Sequence, residues 1–520
     1  SDVCSSDLSS YTLPPHIWSD AFNIRFEDGK CKFFGGWAAI FGTPTVQPWY
    51  HTHILYKDQI FWIYVGVGKA YVWDGTGHTD ITRTVGGDYL PGQPRFWNST
   101  FIGGIPIFNN GNDIPQYWTG FSTASKLANM TNWPNNLRAG VVRSFGKYMV
   151  AMNLVEAGVS LPHAIQWAHP ADPGSLPSSW DITDATKEAG RRELTDDFGG
   201  GINDGLPLGN QFIIYKNKST HIMRYVGGNE IMGFDLLLTN SGVIAPRCVC
   251  AFDNGTKHFV ITDTDVIIHA GTKEVKSIVN KKVKKALFAD IDKAAFPVGF
   301  VFEYAAKSEV WYCYPQNGNF YPNKAMVWNY IDDTITFRDF AGHWATFGYL
   351  VDNTGGATWD TSSGSWDTFT DFWNTNPSTA LVSVFGDPAN TAQKKIYQMD
   401  TGATGDGVDR VAYLERTNAS FILEKGEVNS NFTKTKQFTS LIYRSKSALP
   451  DLFYFDTQEN VATEDTLTLS PGNQYTTDGV TPTDILRPGT VCGYRFVYSN
   501  KVDLEFEQMH MELEVIGENV

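Results

Sequence analysis

Apolar and aromatic residues are grouped in short runs along most of the chain, and Gly, Asn, Asp or Pro residues separate these runs. Runs of this kind, rich in Val, Ile, Tyr, Phe and Trp, are typical of β-strands joined by turns. The main runs are QIFWIYV (59–65), KAYVWDG (69–75), STFIGGIPIFNNG (99–111), KYMVAMNL (147–154), QFIIYKN (211–217), HFVITDTDVIIHAG (258–271), EVWYCYPQNG (309–318) and AMVWNYIDDTITFRDF (325–340). The pattern predicts an all-β protein built from meanders.

Between residues 53 and 340 the runs form units of roughly 40 to 50 residues with about four strands each, which is the period of a propeller blade. The clearest unit is 53–83, where two strands precede a turn at Asp74 and Gly75 and a short closing strand. Its second half recurs in VIIHAGTKEVKSI (266–278) and in KIYQMDTGATGDGVDRVAYLER (395–416). These recurrences predict a β-propeller-like domain.

Changes in composition divide the chain into predicted parts. They are an N-terminal arm (1–45), a β-propeller-like domain (46–345), a Trp/Thr/Ser-rich connection (346–378), a final blade (379–416) and a C-terminal β-sandwich (417–520). Residues 1–8, SDVCSSDL, resemble the translation of a sequencing adapter and are expected to be non-native.

Apolar positions also predict one bulge and one helix. In the last strand one apolar set ends at Phe506 and a second set of opposite parity begins at Met509, so a β-bulge or a passage between sheets is expected near Gln508. The first set is Val502, Leu504 and Phe506, and the second is Met509, Met511, Leu513 and Val515. The helix is NKKVKKALFADID (280–292), with an apolar face of Val283, Ala286 and Leu287 opposite Lys281, Lys282, Lys284 and Lys285. A lysine-rich face is usually solvated, and DNA binding is the alternative.

Charge and cysteine content narrow the functional classes. With 41 basic and 56 acidic residues the formal charge is −15, whereas a protein that grips phosphates should be basic. Six scattered cysteines suggest reduced thiols in a protein made in the cytoplasm, and dispersed histidines argue against a metal site. No apolar run approaches the ~20 residues of a transmembrane helix, and no signal peptide is recognised. We expect a soluble, unexported protein without cofactor or metal.

No catalytic motif is recognised. The sequence contains no G-x-S-x-G elbow, H-E-x-x-H helix or phosphate-binding P-loop. DNTGGATW (352–359) resembles a sialidase Asp box, but Asp352 and Thr354 stand where Ser and Asp belong. We therefore predict that the protein is not an enzyme. The alternative is a propeller-type protein that binds or cleaves glycans, an adhesin or depolymerase.

The stretch TWDTSSGSWDTFTDFWNT (358–375) carries three tryptophans seven residues apart: Trp359, Trp366 and Trp373. The Ser, Thr, Gly and Asp residues between them do not support a helix interior, which excludes a coiled-coil heptad. The tryptophans are predicted to pack along an irregular connection while Asp and Thr close tight turns. The alternative is an aromatic platform for host glycans or for a fibre protein.

Three segments resemble the proteins that form the tail hub or nozzle of short-tailed, podovirus-type phages. The first carries a P-x-x-W-x-D-x-x-N-[IV]-R-F-x-D-G pattern at Pro15, Trp18, Asp20, Asn23, Ile24, Arg25, Phe26, Asp28 and Gly29. The second is G-x-D-x-P-Q-Y-W at Gly111, Asp113, Pro115, Gln116, Tyr117 and Trp118. The third combines AIQWAHPADPGSLPSSWD (164–181) with GLPLGNQFIIYKNKSTHIMRYVGG (205–228).

The resemblance implies a virion structural protein involved in head-to-tail closure and stabilisation of packaged DNA. Such a protomer carries a propeller and assembles as a homo-oligomeric ring, usually hexameric, beneath the portal and adaptor proteins. Tail fibre or needle proteins are further expected partners, and genomic DNA passes transiently through the channel during ejection.

A channel for DNA should be acidic, because a basic wall would bind the phosphates and release counterions. Asp503, Glu505 and Glu507 alternate along one strand face, and ring symmetry would multiply them into a belt. These three residues are the candidate channel lining. The alternative is that they face ordinary solvent on the outside of the sandwich.

Overall fold

Turn residues divide the chain into short strands, which account for nearly all regular structure in the computed structural model of the protein. The structure describes residues 17–56, 59–90, 97–228, 230–340, 342–350, 378–385, 394–419, 421–424, 427–430, 434–445, 449–458, 469–470, 473–478, 481–500 and 505–518. Within these ranges α1 (Lys281–Asp290) is the single α-helix, and short 3₁₀ turns span Phe296–Val298 and Ala305–Lys307. The all-β prediction is confirmed.

The first four strands are distributed over three different sheets. They are β1 (Asp20–Phe22), β2 (Ile24–Glu27), β3 (Lys30–Phe33) and β4 (Trp37–Ile40).

Seven antiparallel blades follow, and four strands form each blade. Blade 1 contains β5 (Tyr50–Tyr56), β6 (Gln59–Val65), β7 (Ala70–Trp73) and β8 (His78–Asp80), and blade 2 contains β9 (Asn98–Ile102), β10 (Ile105–Asn109), β11 (Gln116–Tyr117) and β12 (Ala128–Asn129). Blade 3 contains β13 (Leu137–Phe145), β14 (Tyr148–Glu156), β15 (Val159–Trp167) and β16 (Gly190–Glu193), and blade 4 contains β17 (Ile202–Leu208), β18 (Gln211–Lys216), β19 (Ser219–Gly227) and β20 (Ile231–Thr239). Blade 5 contains β21 (Val249–Phe252), β22 (Lys257–Ile261), β23 (Val266–His269) and β24 (Lys276–Ser277), and blade 6 contains β25 (Phe300–Tyr304), β26 (Glu309–Tyr314), β27 (Lys324–Asn329) and β28 (Thr334–Asp339). Blade 7 begins with β29 (Trp344–Leu350), β30 (Ser378–Phe385) and β31 (Lys395–Met399).

The remaining strands follow blade 7. They are β32 (Val411–Ala419), β33 (Phe421–Glu424), β34 (Glu427–Ser430), β35 (Lys434–Ser445), β36 (Leu452–Gln458), β37 (Gln474–Tyr475), β38 (Thr483–Gly489), β39 (Val491–Ser499) and β40 (Glu505–Glu518).

The seven blades form a closed ring. The first strand of each blade contacts the first strand of the next from blade 2 round to blade 1, and the Tyr50 hydroxyl lies 2.7 Å from Ser99 Oγ between blades 1 and 2. Residues 53–83 form blade 1 as predicted, with Asp74 Oδ1 accepting from the Thr76 amide, 3.0 Å away, in the turn. The β-propeller prediction is confirmed.

The ring is closed by a strand from the N-terminal segment. β4 pairs antiparallel with β31 as the fourth strand of blade 7, where Ile40 faces Ile396. The sequence-based division placed residues 1–45 in an arm and 379–416 in the last blade; instead, β32 leaves that blade for another sheet. The N-terminal segment packs tightly against blade 7 just before β4. A Cβ atom on Gly36 would lie 2.7 Å from the Thr404 carbonyl carbon, so the space there admits only glycine.

Beyond the propeller, two sheets pack face to face as a β-sandwich. One sheet has the order β1-β32-β39-β36-β37 and the other β2-β3-β40-β35-β38. The hydroxyls of Tyr443 and Tyr498 meet between the sheets at 2.7 Å. The first sheet continues into blade 6, because β1 pairs in parallel with β28 at Phe22 and Phe337. N-terminal strands therefore belong to the sandwich as well as to blade 7.

The predicted irregularity near Gln508 is a β-bulge. Arg444 of β35 pairs with Gln508 and the following Ser445 pairs with Phe506, so one residue of β40 is skipped. Phe506 before the bulge and Met509 after it both pack against the sandwich core.

The predicted helix is also present. Asn280 caps its N-terminus by accepting a 2.8 Å hydrogen bond from the Val283 amide. Val283 and Leu287 are buried as predicted. Ala286 is exposed, and the partly buried Phe288 packs against the core instead. Among the described residues, no helix has the length and apolar character required to cross a membrane.

Candidate functional site

The residues singled out by sequence reasoning lie mostly outside the described part of the chain. Trp359, Trp366 and Trp373 fall within 351–377, and Asp503 falls within 501–504. Glu505 and Glu507 belong to β40, where the backbone of Glu505 pairs with Lys32, but their side chains are outside the described set. Both the tryptophan platform and the acidic belt therefore stay predictions.

The described residues form a buried polar cluster between the propeller and the sandwich, which we call the clasp. It contains Arg25, Phe34, Glu309, Arg338, Asp339, Asp400 and Arg410. Three guanidinium groups face three carboxylates, so the clasp has no net charge. Charge balance matters here because an unpaired ion is expensive to bury.

Arg25 is the centre of the clasp. Its guanidinium donates to both Glu309 oxygens, at 2.6 and 3.1 Å, and to Asp400 Oδ2 at 2.9 Å. Burial alone would lower the pKa of Arg25, but the Glu309 and Asp400 carboxylates raise it above its ordinary value. Burial alone would likewise raise the pKa of Asp400, yet Arg25 and then Arg338 hold it below its ordinary value. Arg25 and Asp400 therefore stay ionised at neutral pH.

Aromatic rings complete the desolvation of the clasp. Arg25 and Arg338 lie on the Phe34 ring at 4.4 and 4.8 Å from its centroid, and Arg338 also lies 4.6 Å from the Trp311 ring centroid. The Arg338 side chain is fully buried, and this burial, together with the nearby Arg410 charge, lowers its pKa to about 10.

The second half of the clasp joins the sandwich to the propeller. Arg410, just before β32, donates to both oxygens of Asp339, which ends β28 of blade 6. The same guanidinium donates to Asn23 Oδ1 at 3.1 Å and to the Phe34 carbonyl oxygen at 2.8 Å. Asn23 has a left-handed backbone with φ of 57°, which Asn tolerates better than most residues. The clasp thus holds the N-terminal segment, blades 6 and 7 and the sandwich together.

The first segment that carries the phage-tail resemblance has structural contacts throughout its described part. Trp18 packs edge-on against Tyr494 and Phe506 in the sandwich core. Asp20 accepts a 2.9 Å hydrogen bond from the Tyr413 hydroxyl. The motif could be recognised in the sequence, but the sequence did not reveal that its Arg25 pairs with Glu309 and Asp400.

The second resembling segment is structural as well. Asp113 accepts a 2.7 Å hydrogen bond from Arg83 and caps the Leu90 amide at 2.9 Å. Trp118 is fully buried and donates to the Ser125 carbonyl oxygen at 3.1 Å. These contacts join blade 2 to the loop that follows blade 1.

A Ser, His and Asp cluster that sequence reasoning missed lies between blades 3 and 4. Asp196 Oδ2 accepts from Ser219 Oγ at 2.5 Å and from His221 Nε2 at 2.9 Å, and pairs with buried Lys216 at 3.0 Å. A serine-hydrolase relay needs Asp on one imidazole nitrogen and Ser on the other. Here one nitrogen of His221 faces both groups, so this cluster does not have the relay geometry.

A buried His-Tyr-His chain, also missed, joins blades 4 and 5. The Tyr215 hydroxyl lies 2.7 Å from His269 Nε2 and 2.7 Å from His258 Nδ1. His269 Nδ1 accepts from the Gly271 amide and His258 Nε2 donates to the Pro207 carbonyl oxygen, which assigns both tautomers. Burial lowers the pKa of each histidine to about 4, so both are neutral at pH 7.

The centre of the propeller contains a cavity of about 340 Å³, and the first strands of the blades line it. Arg143 and Arg247 both reach it, and Asp204 lies between them. Asp204 accepts from the Arg143 guanidinium at 2.9 Å and from the Arg247 amide at 3.2 Å. Trp344 forms part of the wall, with the Arg247 guanidinium 5.2 Å from its ring centroid.

Comparison with known proteins shows similarity in fold alone. No family model and no curated protein matches the sequence. Among solved structures, YCF48 bound to D1 peptide is similar with 11% identity and a TM-score of 0.36, over 60% of this chain and 87% of that one. The WD40 β-propeller domain of Doa1 has 9% identity and a TM-score of 0.35, over 58% and 86%. Hsv2 of Kluyveromyces lactis has 11% identity and a TM-score of 0.30, over 55% and 83%.

Proposed function

We propose that this protein is a structural component of a short-tailed phage tail, a nozzle or hub protomer. In this proposal a hexameric ring of the protein closes the DNA channel below the portal and adaptor and later conducts the genome. The clasp is the observation that carries the proposal, because the segment with the phage-tail motif supplies its Arg25 and also supplies Asn23, which accepts a hydrogen bond from Arg410 of the clasp.

A rigid connection between propeller and sandwich suits such a role. A tail part must keep its geometry under the pressure of packaged DNA, and hinge motion between its domains would open the ring. The continuous sheet from blade 6 into the sandwich and the neutral, buried clasp both resist such motion. A static cluster of this kind supports a structural role rather than catalysis.

The charge of the chain supports contact with passing DNA without retention. A formal charge of −15 per protomer is multiplied by ring symmetry. Asp503, Glu505 and Glu507 are the proposed acidic lining of the channel. The adaptor, portal and tail fibre or needle proteins are the proposed partners, and the virion tail is the proposed location.

Negative-stain electron microscopy of the purified protein, alone and with its portal–adaptor complex, tests the proposal. Closed rings with a central pore in either sample are the expected result and give the copy number. Protomers that stay single even with the complex present would overturn it. A reducing-sugar assay on host polysaccharide would then test the glycan-cleaving alternative.

A further inference from the structure

We propose that one copy of this chain docks on the next by inserting Phe320, at the tip of the loop 315–323 (the Phe320 loop), into a cleft between blades 3 and 4. The contact deepens the ring proposed above and rests on it, because it supplies the two surfaces through which neighbouring protomers meet. The occupant of the cleft is therefore a second copy of this chain.

The Phe320 loop joins β26 to β27 of blade 6 and presents an aromatic side chain to solvent. Phe320 is 78% exposed. Two contacts hold the loop in place: the Gly318 amide donates to Asp292 Oδ2 at 2.8 Å, and the Tyr321 ring lies 5.7 Å from the Trp49 ring between centroids. An exposed aromatic residue on a fixed loop is suited to anchor an interface, because little conformational freedom is lost when it binds.

The cleft has a volume of about 450 Å³ and lies between the outer strands of blades 3 and 4. Trp167 and Phe234 line it, with ring centroids 5.8 Å apart, and Ile182, which is 44% exposed, adds aliphatic surface. Apolar surface continues beyond the cleft, since Tyr225 and Val226 are also exposed. Exposed apolar surface of this kind marks protein–protein contacts, and the cleft has room for a phenyl ring.

The cleft and the Phe320 loop open on opposite faces of the propeller. Strands alternate in direction along an antiparallel blade, so its first and third turns share one face and its second turn opens on the other. Trp167 and Glu230 of the cleft border the third turns of blades 3 and 4, whereas Phe320 lies in the second turn of blade 6. A contact between two different faces is heterologous, and such contacts generate rings when the rotation closes.

Charge complements the two surfaces. Loop 168–189 forms one wall of the cleft and carries four acidic residues and one lysine. Segment 280–293 adjoins the Phe320 loop, where the Asn317 amide donates to the Asp290 carbonyl oxygen at 2.8 Å, and it carries five lysines and two aspartates. Opposite charges on facing surfaces steer association and fix its orientation.

Other charges in the cleft wall cancel. Arg191 pairs with Glu156 at 2.8 Å, and Arg192 and Glu230 carry opposite charges. The acidic excess of loop 168–189 therefore decides the sign of this surface.

Sedimentation velocity and negative-stain electron microscopy, with and without the portal–adaptor complex, test the contact. Phe320→Asp removes the anchor and Ile182→Glu places a charge in the cleft, and each should abolish rings by weakening association about tenfold or more. A mixture of the two variants retains one intact contact per pair, so it should form dimers but no rings. Leu486→Asp, at an exposed apolar position of the sandwich, is the matched control and should assemble like the wild type.

The outcomes separate this contact from the ring itself. Rings that persist in Phe320→Asp or Ile182→Glu, or a mixture that forms no dimers, would overturn the contact and leave the ring standing. Equal loss of rings in Leu486→Asp would also overturn it. Wild-type protomers that stay single with the portal–adaptor complex present would overturn both proposals.

Charge reversal tests which surfaces face each other. Lys282→Glu with Lys285→Glu should weaken assembly, because both lysines are exposed on α1. The further changes Asp181→Lys and Glu230→Lys, at exposed positions beside the cleft, should restore assembly at least in part. A fourfold variant that assembles no better than the twofold one would overturn the pairing of these two surfaces.

Discussion

Arg25 donates two hydrogen bonds to the carboxylate of Glu309, at 2.6 and 3.1 Å, although 284 positions of sequence separate the two residues. The pair fixes strand β2 of the sandwich to strand β26 of blade 6. Both side chains are buried, so neither can exchange its partner for water.

Removal of one member of this pair should destabilise the protein strongly. Arg25→Met leaves Glu309 and Asp400 with an uncompensated negative charge, and we expect a loss of about 3–5 kcal/mol in the free energy of unfolding. Urea denaturation measures this. Lys276→Gln, which removes an exposed ion pair with Asp333, is the control and should change stability by less than about 1 kcal/mol.

The double variant Arg25→Met, Glu309→Met restores the charge balance of the clasp. It should therefore be more stable than Arg25→Met alone. A single variant as stable as the Lys276→Gln control would show that the clasp does not hold the domains together.

The His-Tyr-His chain predicts an acid-sensitive contact between blades 4 and 5. The pKa of His258 and of His269 is about 4 in the folded protein and has an ordinary value of 6.5. Between these values the unfolded chain binds protons that the folded protein does not. The free energy of unfolding should therefore decrease as the pH falls from 6.5 to 4, by at most roughly 3 kcal/mol for each histidine.

Denaturant titrations at about pH 7 and about pH 4.5 measure this effect. His269→Gln removes one titrating group and should make the decrease smaller. Burial also lowers the pKa of His51 to about 3, so His51 contributes the same decrease in the free energy of unfolding to every variant. An identical decrease in wild type and His269→Gln would contradict the assignment.

Closure of blade 7 depends on space for the backbone at Gly36. A methyl group there would overlap the Thr404 carbonyl group, so Gly36→Ala should destabilise the protein by about 1–3 kcal/mol and expose the N-terminal segment to proteases. Gly77→Ala is a matched control, because nothing lies within 4 Å of its Cβ position. Thermal unfolding and limited proteolysis compare the two. Equal cleavage would show that β4 does not need this close approach.

The proposed acidic lining is tested by charge reversal. Asp503→Lys, Glu505→Lys and Glu507→Lys together should slow or block DNA ejection, because a basic wall retains phosphates. Glu193→Lys, Asp197→Lys and Glu274→Lys produce the same change in net charge at exposed blade positions. Ejection that is unchanged in the first set, or equally slowed in the second, removes the assignment of the channel lining.

Trp366→Ala distinguishes the two hypotheses for the tryptophan repeat. If the rings pack along a structural connection, the variant should lose stability or fail to fold, since a buried Trp-to-Ala change costs about 3–5 kcal/mol. If they form a platform, stability should be unchanged and binding of a glycan or fibre protein should be lost. Thermal unfolding and a glycan-binding assay together separate these outcomes.

Local features were predictable because their causes are local. The turn at Asp74 satisfies the backbone amide of Thr76, two residues away. The parity change near Gln508 predicted a bulge because alternate side chains of a strand face opposite sides. Such signals need only neighbouring residues, and they also indicated four-stranded blades.

Long-range pairing was not predictable from one sequence. The final blade was expected within residues 379–416, but β4 from the N-terminal segment supplies its outer strand, and an edge strand can be supplied from either end of a chain. The same limit applies to Arg143 and Arg247, which belong to different blades and meet only because the ring brings its first strands together.

By its pattern of short apolar runs and turns, the sequence alone determined an all-β chain of propeller blades followed by further strands. Tertiary structure decided which strands complete each sheet and which charges meet in the clasp and the central cavity. The reason is physical: a strand or turn is stabilised by neighbours in sequence, whereas a buried ion such as Arg25 is stable only beside partners that the folded chain brings from far away.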